Sequence, residues 1–337
     1  MTEVGTQKRP KIIAIVGPTA SGKTALGICL AQKIGSLPAG RRGEIISADS
    51  RQVYRGLDIG TGKVTKQEMV GVPHHLLDVC SPKRQFSASD FVRLGRTAID
   101  EILARGNVPV IVGGTGLYVD ALLGRVVLPD VPPNEPLRAK LEKKTAEELF
   151  AMLAQKDPER AATIEPDHKR RLIRALEIAE ALGKNPPKQA SEPYDVLWIG
   201  ISPAEKTLKQ RIHDRLLARI NGEQSSTTAS TPRSSKNMIT EARRLHSPSP
   251  KGIGLSYKRM RELGLEYRYL ADYLQGTLSK AEMTEQLERA INEYARRQLR
   301  WFRRNTSIHW LAHSPQSAAS LAEAARLARI FLAYYLL

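Results

Sequence analysis

The chain is poor in cysteine: only Cys29 and Cys80 occur, with no Cys-x-x-Cys spacing. A disulfide framework and a cysteine-based zinc site are therefore unsupported. No run of 18 or more apolar residues is present to span a bilayer. The segment Met1 to Lys11 lacks the apolar stretch of a signal peptide. A cytoplasmic protein, without membrane attachment, is expected. No internal repeat is visible. Acidic residues are also short relative to basic ones: 35 Asp and Glu stand against 52 Lys and Arg, giving a formal charge of +17. Such an excess points to a polyanionic partner, nucleic acid foremost.

What is present reads as alternating strand and helix over 337 residues, of which 41% are hydrophobic. Lys11–Val16 (KIIAIV) is a short β-branched apolar run, the pattern of a buried parallel strand. Thr24–Ile34 has helical spacing, with Leu26, Leu30 and Ile34 on one face. Glu44–Ala48 and Val108–Val112 read as further buried strands, with a helix over Phe91–Ala104 between them. A P-loop NTPase-like α/β fold, a parallel sheet flanked by helices, is the economical answer for residues 1–128. Pro129, Pro132, Pro133 and Pro136 then mark a boundary, and Leu137–Leu182 is helical and highly charged. Asp195–Ile201 (DVLWIGI) restores a buried strand. A mostly helical insertion over 129–190 is thus expected, with a return to the core and C-terminal helices over 191–310. Helix is read at Lys206–Ile220 and again from Tyr257 to Arg304. Ser225–Ser235 (SSTTASTPRSS) reads as a flexible loop, and 311–337 as a tail that docks as an amphipathic helix.

Gly17-Pro18-Thr19-Ala20-Ser21-Gly22-Lys23-Thr24 satisfies G-x-x-x-x-G-K-T at every fixed position, between a strand and a helix. Its glycines let successive N–H groups curl around phosphate oxygens, Lys23 adds a mobile charge, and Thr24 can place a hydroxyl on Mg²⁺. The strand Val108–Val112 runs out into Gly113-Gly114-Thr115-Gly116, with no carboxylate where an ordinary ATPase carries one. The acid at a strand end is instead Asp49. Ligands of such sheets sit beyond the carboxyl ends of the strands, so the loop, Asp49 and Thr115 are expected to share one crevice. A diphosphate clamp with one carboxylate and one hydroxyl suits transfer of a group whose leaving group is the diphosphate, with Asp49 as general base. It suits a small-molecule kinase equally well.

The motifs GPTASGKTAL (Gly17–Leu26), ISADSRQVYRGLDIGTGK (Ile46–Lys63), HHLLDV (His74–Val79), FSASDF (Phe86–Phe91), VGGTGLYVDALL (Val112–Leu123) and RRLIRALEI (Arg170–Ile178) occur in this order. The chain resembles the tRNA dimethylallyltransferases, also called tRNA isopentenyltransferases, from about Lys11 to Trp310. The resemblance implies transfer of a dimethylallyl group from dimethylallyl diphosphate to N6 of adenosine 37, beside the tRNA anticodon. It also implies access to a flipped-out base through a channel. By that resemblance Asp49 is the general base, Thr115 lies near the bridging oxygen, and Arg215 contacts the diphosphate held by Gly17–Thr24. Asp49, Ser50, Arg51 and Gln52 match the stretch that touches the target base. Arg138 and the run Arg170, Arg171, Leu172, Ile173 and Arg174 match tRNA-contacting positions. The partners implied are dimethylallyl diphosphate and the anticodon stem-loop of tRNA, with Mg²⁺ as cofactor and a monomer as the working form. Gly254–Lys258 and Gly264–Arg268 are two counterparts of the family's Gly-Tyr-Lys/Arg motif. The nearest rival is an isopentenyltransferase acting on free adenine nucleotide, which would need neither the helical insertion nor so basic a chain.

Overall fold

A computed structural model describes residues 9–36, 40–186, 192–222, 237–248, 252–311 and 317–333. The apolar runs pair as expected, and the order of hydrogen-bonded strands explains the site. The chain runs through β1 (Lys11–Val16), α1 (Lys23–Gly35), β2 (Gly43–Ala48), β3 (His74–His75), α2 (Ala88–Ala104), β4 (Val108–Gly113) and α3 (Gly116–Leu122). After the insertion come β5 (Asp195–Ile201) and, near the end, β6 (His309–Leu311). All strands are parallel, in the order β3-β2-β4-β1-β5-β6.

A parallel strand buried on both faces needs apolar side chains at every position, and its alternate residues then enter two different cores. Ile12, Ala14 and Val16 pack with Phe91, Ile99 and Ile102 of α2. Ile13 and Ile15 face the other way, with Leu26, Leu30 and Ile34 of α1. Each isoleucine so buried contributes about 2 kcal/mol of apolar transfer. Helix α13 (Ala318–Ala333) covers the second face, burying Ala324, Ala328 and Leu332 in the same cluster.

The motif FSASDF has a local physical reason. Ser87 caps α2 by accepting from the Asp90 N–H while the Asp90 carboxylate accepts from the Ser87 N–H. Such a reciprocal cap satisfies two donors that would otherwise be left at the helix start.

A third core is built mainly from helices, with Val53, Tyr54, Leu57 and Cys80 joining from the segments after β2 and β3. α8 (Glu205–Asn221) buries Leu208, Ile212, Leu216 and Ile220, and α12 (Lys280–Phe302) buries Met283, Leu287, Ile291 and Ala295, both at four-residue spacing. α9 (Met238–His246), α10 (Tyr257–Leu263) and α11 (Leu265–Leu274) complete it. The helical stretch from Tyr257 to Arg304 is therefore three helices, broken at Gly264 (φ 74°) and Gly276 (φ 75°). A left-handed backbone ends a helix at little cost in glycine alone. The edge strands β3 and β6 are two and three residues long, too short to show a period in sequence. The loop expected at Ser225–Ser235 lies outside the described residues.

The insertion forms its own compact unit, Gly124–Ser191. It holds α4 (Glu135–Leu141), α5 (Ala146–Lys156), α6 (Pro158–Ala161) and α7 (Lys169–Leu182) around a core of Leu141, Leu149, Leu153, Leu172, Ile173 and Leu176.

Candidate active site at three neighbouring strand ends

Strand β4 lies between β1 and β2, so the turns leaving these strands stand side by side. The phosphate loop leaves β1. Gly17 (φ 152°) has no room for a side chain, since a Cβ there would lie 2.4 Å from Ile201 O. Gly22 caps α1 in the left-handed region (φ 93°). Lys23 Nζ donates to Pro18 O at 2.6 Å. Ser21 is fully buried with its hydroxyl unpartnered, and Thr24 is exposed on the first turn of α1.

Two side chains from the helical layer fasten this loop. Gln298 Oε1 accepts from the Thr19 N–H at 2.8 Å while its Nε2 donates to Gly114 O at 2.8 Å, tying the β1 and β4 turns together. Arg215 Nη2 donates to the Thr19 hydroxyl at 2.6 Å.

On the other side of β4, the Asp49 Oδ1 accepts from the N–H groups of Arg51 (2.8 Å) and Gln52 (3.3 Å), which fixes the carboxylate at the exit of β2. The Thr115 hydroxyl accepts from the Ser50 N–H at 3.1 Å and lies within hydrogen-bonding reach of Tyr294. Gln52 reaches Ser47 and Gly62 O, and Arg51 donates to Ser50 O.

The charges of this region feel one another. Asp49 acts on Lys23, Arg215, Arg219, Glu266 and Tyr294 alike. Burial, then repulsion from Arg215, pushes Lys23 down to about 7, with Asp49 pulling the other way. Burial and the Arg219 guanidinium lower Arg215, and burial lowers Arg219. Both stay cationic at neutral pH, because a guanidinium does not give up its proton in proteins. Burial raises Glu266 against the pull of Arg219 and Arg215, and raises Tyr294 to about 12, so its hydroxyl stays protonated.

The structure thus brings Gly17–Thr24, Asp49–Gln52, Thr115 and Arg215 together. Sequence reading missed Arg219, Gln298 and Tyr294. Two of these had a signal: Arg219 follows Arg215 by one turn, and Gln298 is a polar residue on the buried stripe of α12.

In the insertion, Arg170 and Arg171 are exposed on α7, the latter pairing with Glu165 at 2.7 Å. Leu172 and Ile173 sit at 0% and 4% exposure in that unit's core, so their side chains pack inward. Arg138 holds Glu177 with two hydrogen bonds of 2.9 and 3.0 Å, and Arg174 binds the same carboxylate. Of the two Gly-Tyr-Lys/Arg counterparts, Tyr267 is fully buried and donates to Glu241 at 2.7 Å, while Tyr257 stacks on His246.

Phosphate loop, strand-end base and hydroxyl, without an acid at the end of β4, define a group-transfer enzyme of the P-loop class. Comparison with known proteins narrows this. The IPP transferase family profile matches residues 52–305, and an isopentenyl transferase profile matches residues 10–90. The tRNA dimethylallyltransferase 1 of Geotalea uraniireducens is 40% identical over 304 residues, covering 89% of this chain and 92% of the relative. That of Geobacillus thermodenitrificans is 40% identical over 309 residues, covering 89% and 90%. The crystal structure of a tRNA isopentenylpyrophosphate transferase from Bacillus halodurans superposes with a TM-score of 0.66 at 34% identity, covering 97% of this chain and 98% of that one. A eukaryotic dimethylallyltransferase acting on tRNA shares the fold, with a TM-score of 0.77 at 24% identity over 96% of this chain and 80% of that one. The chain belongs to the IPP transferase family, the prenyltransferase family of the tRNA dimethylallyltransferases.

Proposed function

We propose that this chain transfers the dimethylallyl group of dimethylallyl diphosphate to N6 of adenosine 37 in tRNA. The observation that carries this reading is the meeting of three strand-end turns: Gln298 joins Thr19 to Gly114, Arg215 holds the Thr19 hydroxyl, and Thr115 holds the Ser50 N–H beside Asp49. The N6 nitrogen attacks C1 of the dimethylallyl group, the C1–O bond breaks, and the electron pair leaves with the diphosphate. Asp49 Oδ2 takes the proton from N6, its Oδ1 being committed to the Arg51 and Gln52 N–H groups. Loop N–H groups, Lys23 and Arg215 hold the charge that develops on the leaving oxygens. Thr115, positioned by the Ser50 N–H, donates its hydroxyl proton toward the bridging oxygen.

Among the described residues no group of three His, Cys, Asp or Glu side chains is placed to hold a metal by itself. Thr24, exposed on the first turn of α1, would hold Mg²⁺ through its hydroxyl. The ion would supply further neutralisation of the leaving group. Arg170 and Arg171 of the insertion, with the +17 charge of the chain, support a tRNA acceptor over a free nucleotide. No helix among the described residues is long and apolar enough to cross a membrane.

The test is incubation with radiolabelled dimethylallyl diphosphate and unmodified tRNA. Label in the tRNA at the adenosine next to the anticodon is expected. Label on AMP and none in tRNA would favour the free-nucleotide reading, and phosphate release from ATP without prenyl transfer would overturn both.

A further inference from the structure

Helix α8 carries a second deep arginine, one turn after Arg215, that the transfer chemistry leaves unused. Arg219 Nη1 donates to Gly60 O at 3.2 Å. A methyl group on Gly62 would lie 1.6 Å from Arg219 Nη2, so the guanidinium is wedged against this loop. The loop is held from behind by Glu241, which accepts from the N–H groups of Asp58 (2.9 Å), Ile59 (2.7 Å) and Gly60 (3.0 Å) and from the Tyr267 hydroxyl (2.7 Å). Directly before Tyr267, on the first turn of α11, stands Glu266, 8% exposed. Its neighbour Gly264 closes on Arg51, since a Cβ there would lie 3.3 Å from Arg51 Nη2. Glu266, Arg215 and Arg219 act on one another and all feel Asp49. Yet among the described residues neither guanidinium closes into an ion pair with a carboxylate; Arg215 holds Thr19 and Arg219 holds Gly60. A buried pair that does not close is costly unless a third charged group completes it.

We propose that Arg219 and Glu266 form a charge device behind the diphosphate grip. Arg219 adds a third cation to Lys23 and Arg215, and Glu266 holds their combined field down so that product diphosphate can leave. The device rests on reading the cleft as a diphosphate site. It is a positioning and affinity-setting pair, since neither residue is assigned to the reacting atoms. Unlike a packing role, it makes the two single substitutions act in opposite directions. Removing the cation weakens anion binding; removing the carboxylate strengthens it.

The experiment is calorimetric titration with inorganic diphosphate and Mg²⁺ of the full chain and of R219M, R219K, E266Q and R219M/E266Q. R219M is expected to bind about ten- to a hundredfold more weakly, as for loss of a charged hydrogen-bond donor. R219K should recover much of that loss. E266Q should bind about threefold or more tightly, from the loss of one repelling charge, with slower release of diphosphate after turnover. The double variant should fall between R219M and the wild type. Unchanged binding in R219M, or E266Q binding no tighter than the wild type, overturns the proposal. A wild-type chain that fails to bind diphosphate at all would instead remove the reading on which it rests.

Discussion

Two clusters of buried charge in this chain have opposite character. In the insertion, Glu177 at 1% side-chain exposure is gripped by Arg138 with two hydrogen bonds, by Arg174, and by the Asn134 N–H at 2.6 Å. These contacts hold its carboxyl below the usual carboxylate range against the cost of burial. In the sheet unit, Arg215 meets like charge from both Lys23 and Arg219, and the hydrogen bonds of the three cations go to neutral oxygens of Pro18, Thr19 and Gly60. The first cluster is complete without a ligand and serves to hold α4 to α7. In the second no carboxylate among the described residues closes on the cations, and on the proposed reading a diphosphate supplies that charge, a binding arrangement kept at the expense of stability.

Substitutions on each side should separate the two roles. The largest effect is expected at the base. D49A should slow transfer by about a thousandfold, as for loss of a positioned general base, with tRNA affinity largely kept. If tRNA binding fell in parallel with the rate, Asp49 would be a positioning residue only. E177Q removes the charge that Arg138 and Arg174 share, leaving Arg138 only the exposed Glu135 at 3.5 Å, and should destabilise the insertion by about 3 kcal/mol, the lower end of the range for a broken buried pair because both arginines are partly exposed. Chemical denaturation would show it, and diphosphate binding should be unchanged. A loss of diphosphate binding in E177Q would contradict the division drawn between the clusters.

The pH response is smaller and sharper. Burial and Arg215 push Lys23 down to about 7, and a bound anion would raise it again. Its contribution to diphosphate affinity is therefore complete below pH 7 and is lost as pH rises from 7 through the higher value of the loaded cleft. The decline should approach about tenfold per pH unit at most. K23R, which keeps its charge, should show a flatter profile across about pH 6 to 9, the range in which a shifted lysine titrates. An identical slope in the two proteins would assign the decline to the ligand. Smallest of all, R171A should lower the salt dependence of tRNA binding by about one counterion, without touching diphosphate affinity.

The sheet-borne half of the site was legible in sequence because its signals are local. A loop of fixed spacing follows β1, Asp49 ends β2, and Gly113-Gly114-Thr115 ends β4; only their adjacency needed the strand order. The helix-borne half was not. Gln298 matters because α12 packs across the β1 and β4 turns, and no pattern within α12 says which turns it meets. Arg215 came from family resemblance, whereas Arg219, on the same face, had no motif to single it out. In the insertion the run Arg170–Arg174 was read as one contacting stretch. Helical periodicity divides it: Arg170 and Arg171 face outward, while Leu172 and Ile173 enter the core. Residues 225–235 carry a compositional signal and no structural description. The break at Gly264 illustrates another limit. The helical pattern on either side of it is strong, and the chain turns there because glycine alone tolerates the backbone that Leu265–Leu274 requires.

On the proposed reading, the cation cluster of the sheet unit is held open, at a cost in stability, for a diphosphate. Thermal unfolding of R215M, with and without inorganic diphosphate and Mg²⁺, tests it most directly. An unliganded melting temperature about 1–2 °C above the wild type is expected, as for relief of roughly 1 kcal/mol of buried repulsion in a chain of this size, with loss of the stabilisation that diphosphate gives the wild type. A lower unliganded melting temperature together with an undiminished diphosphate shift would contradict it.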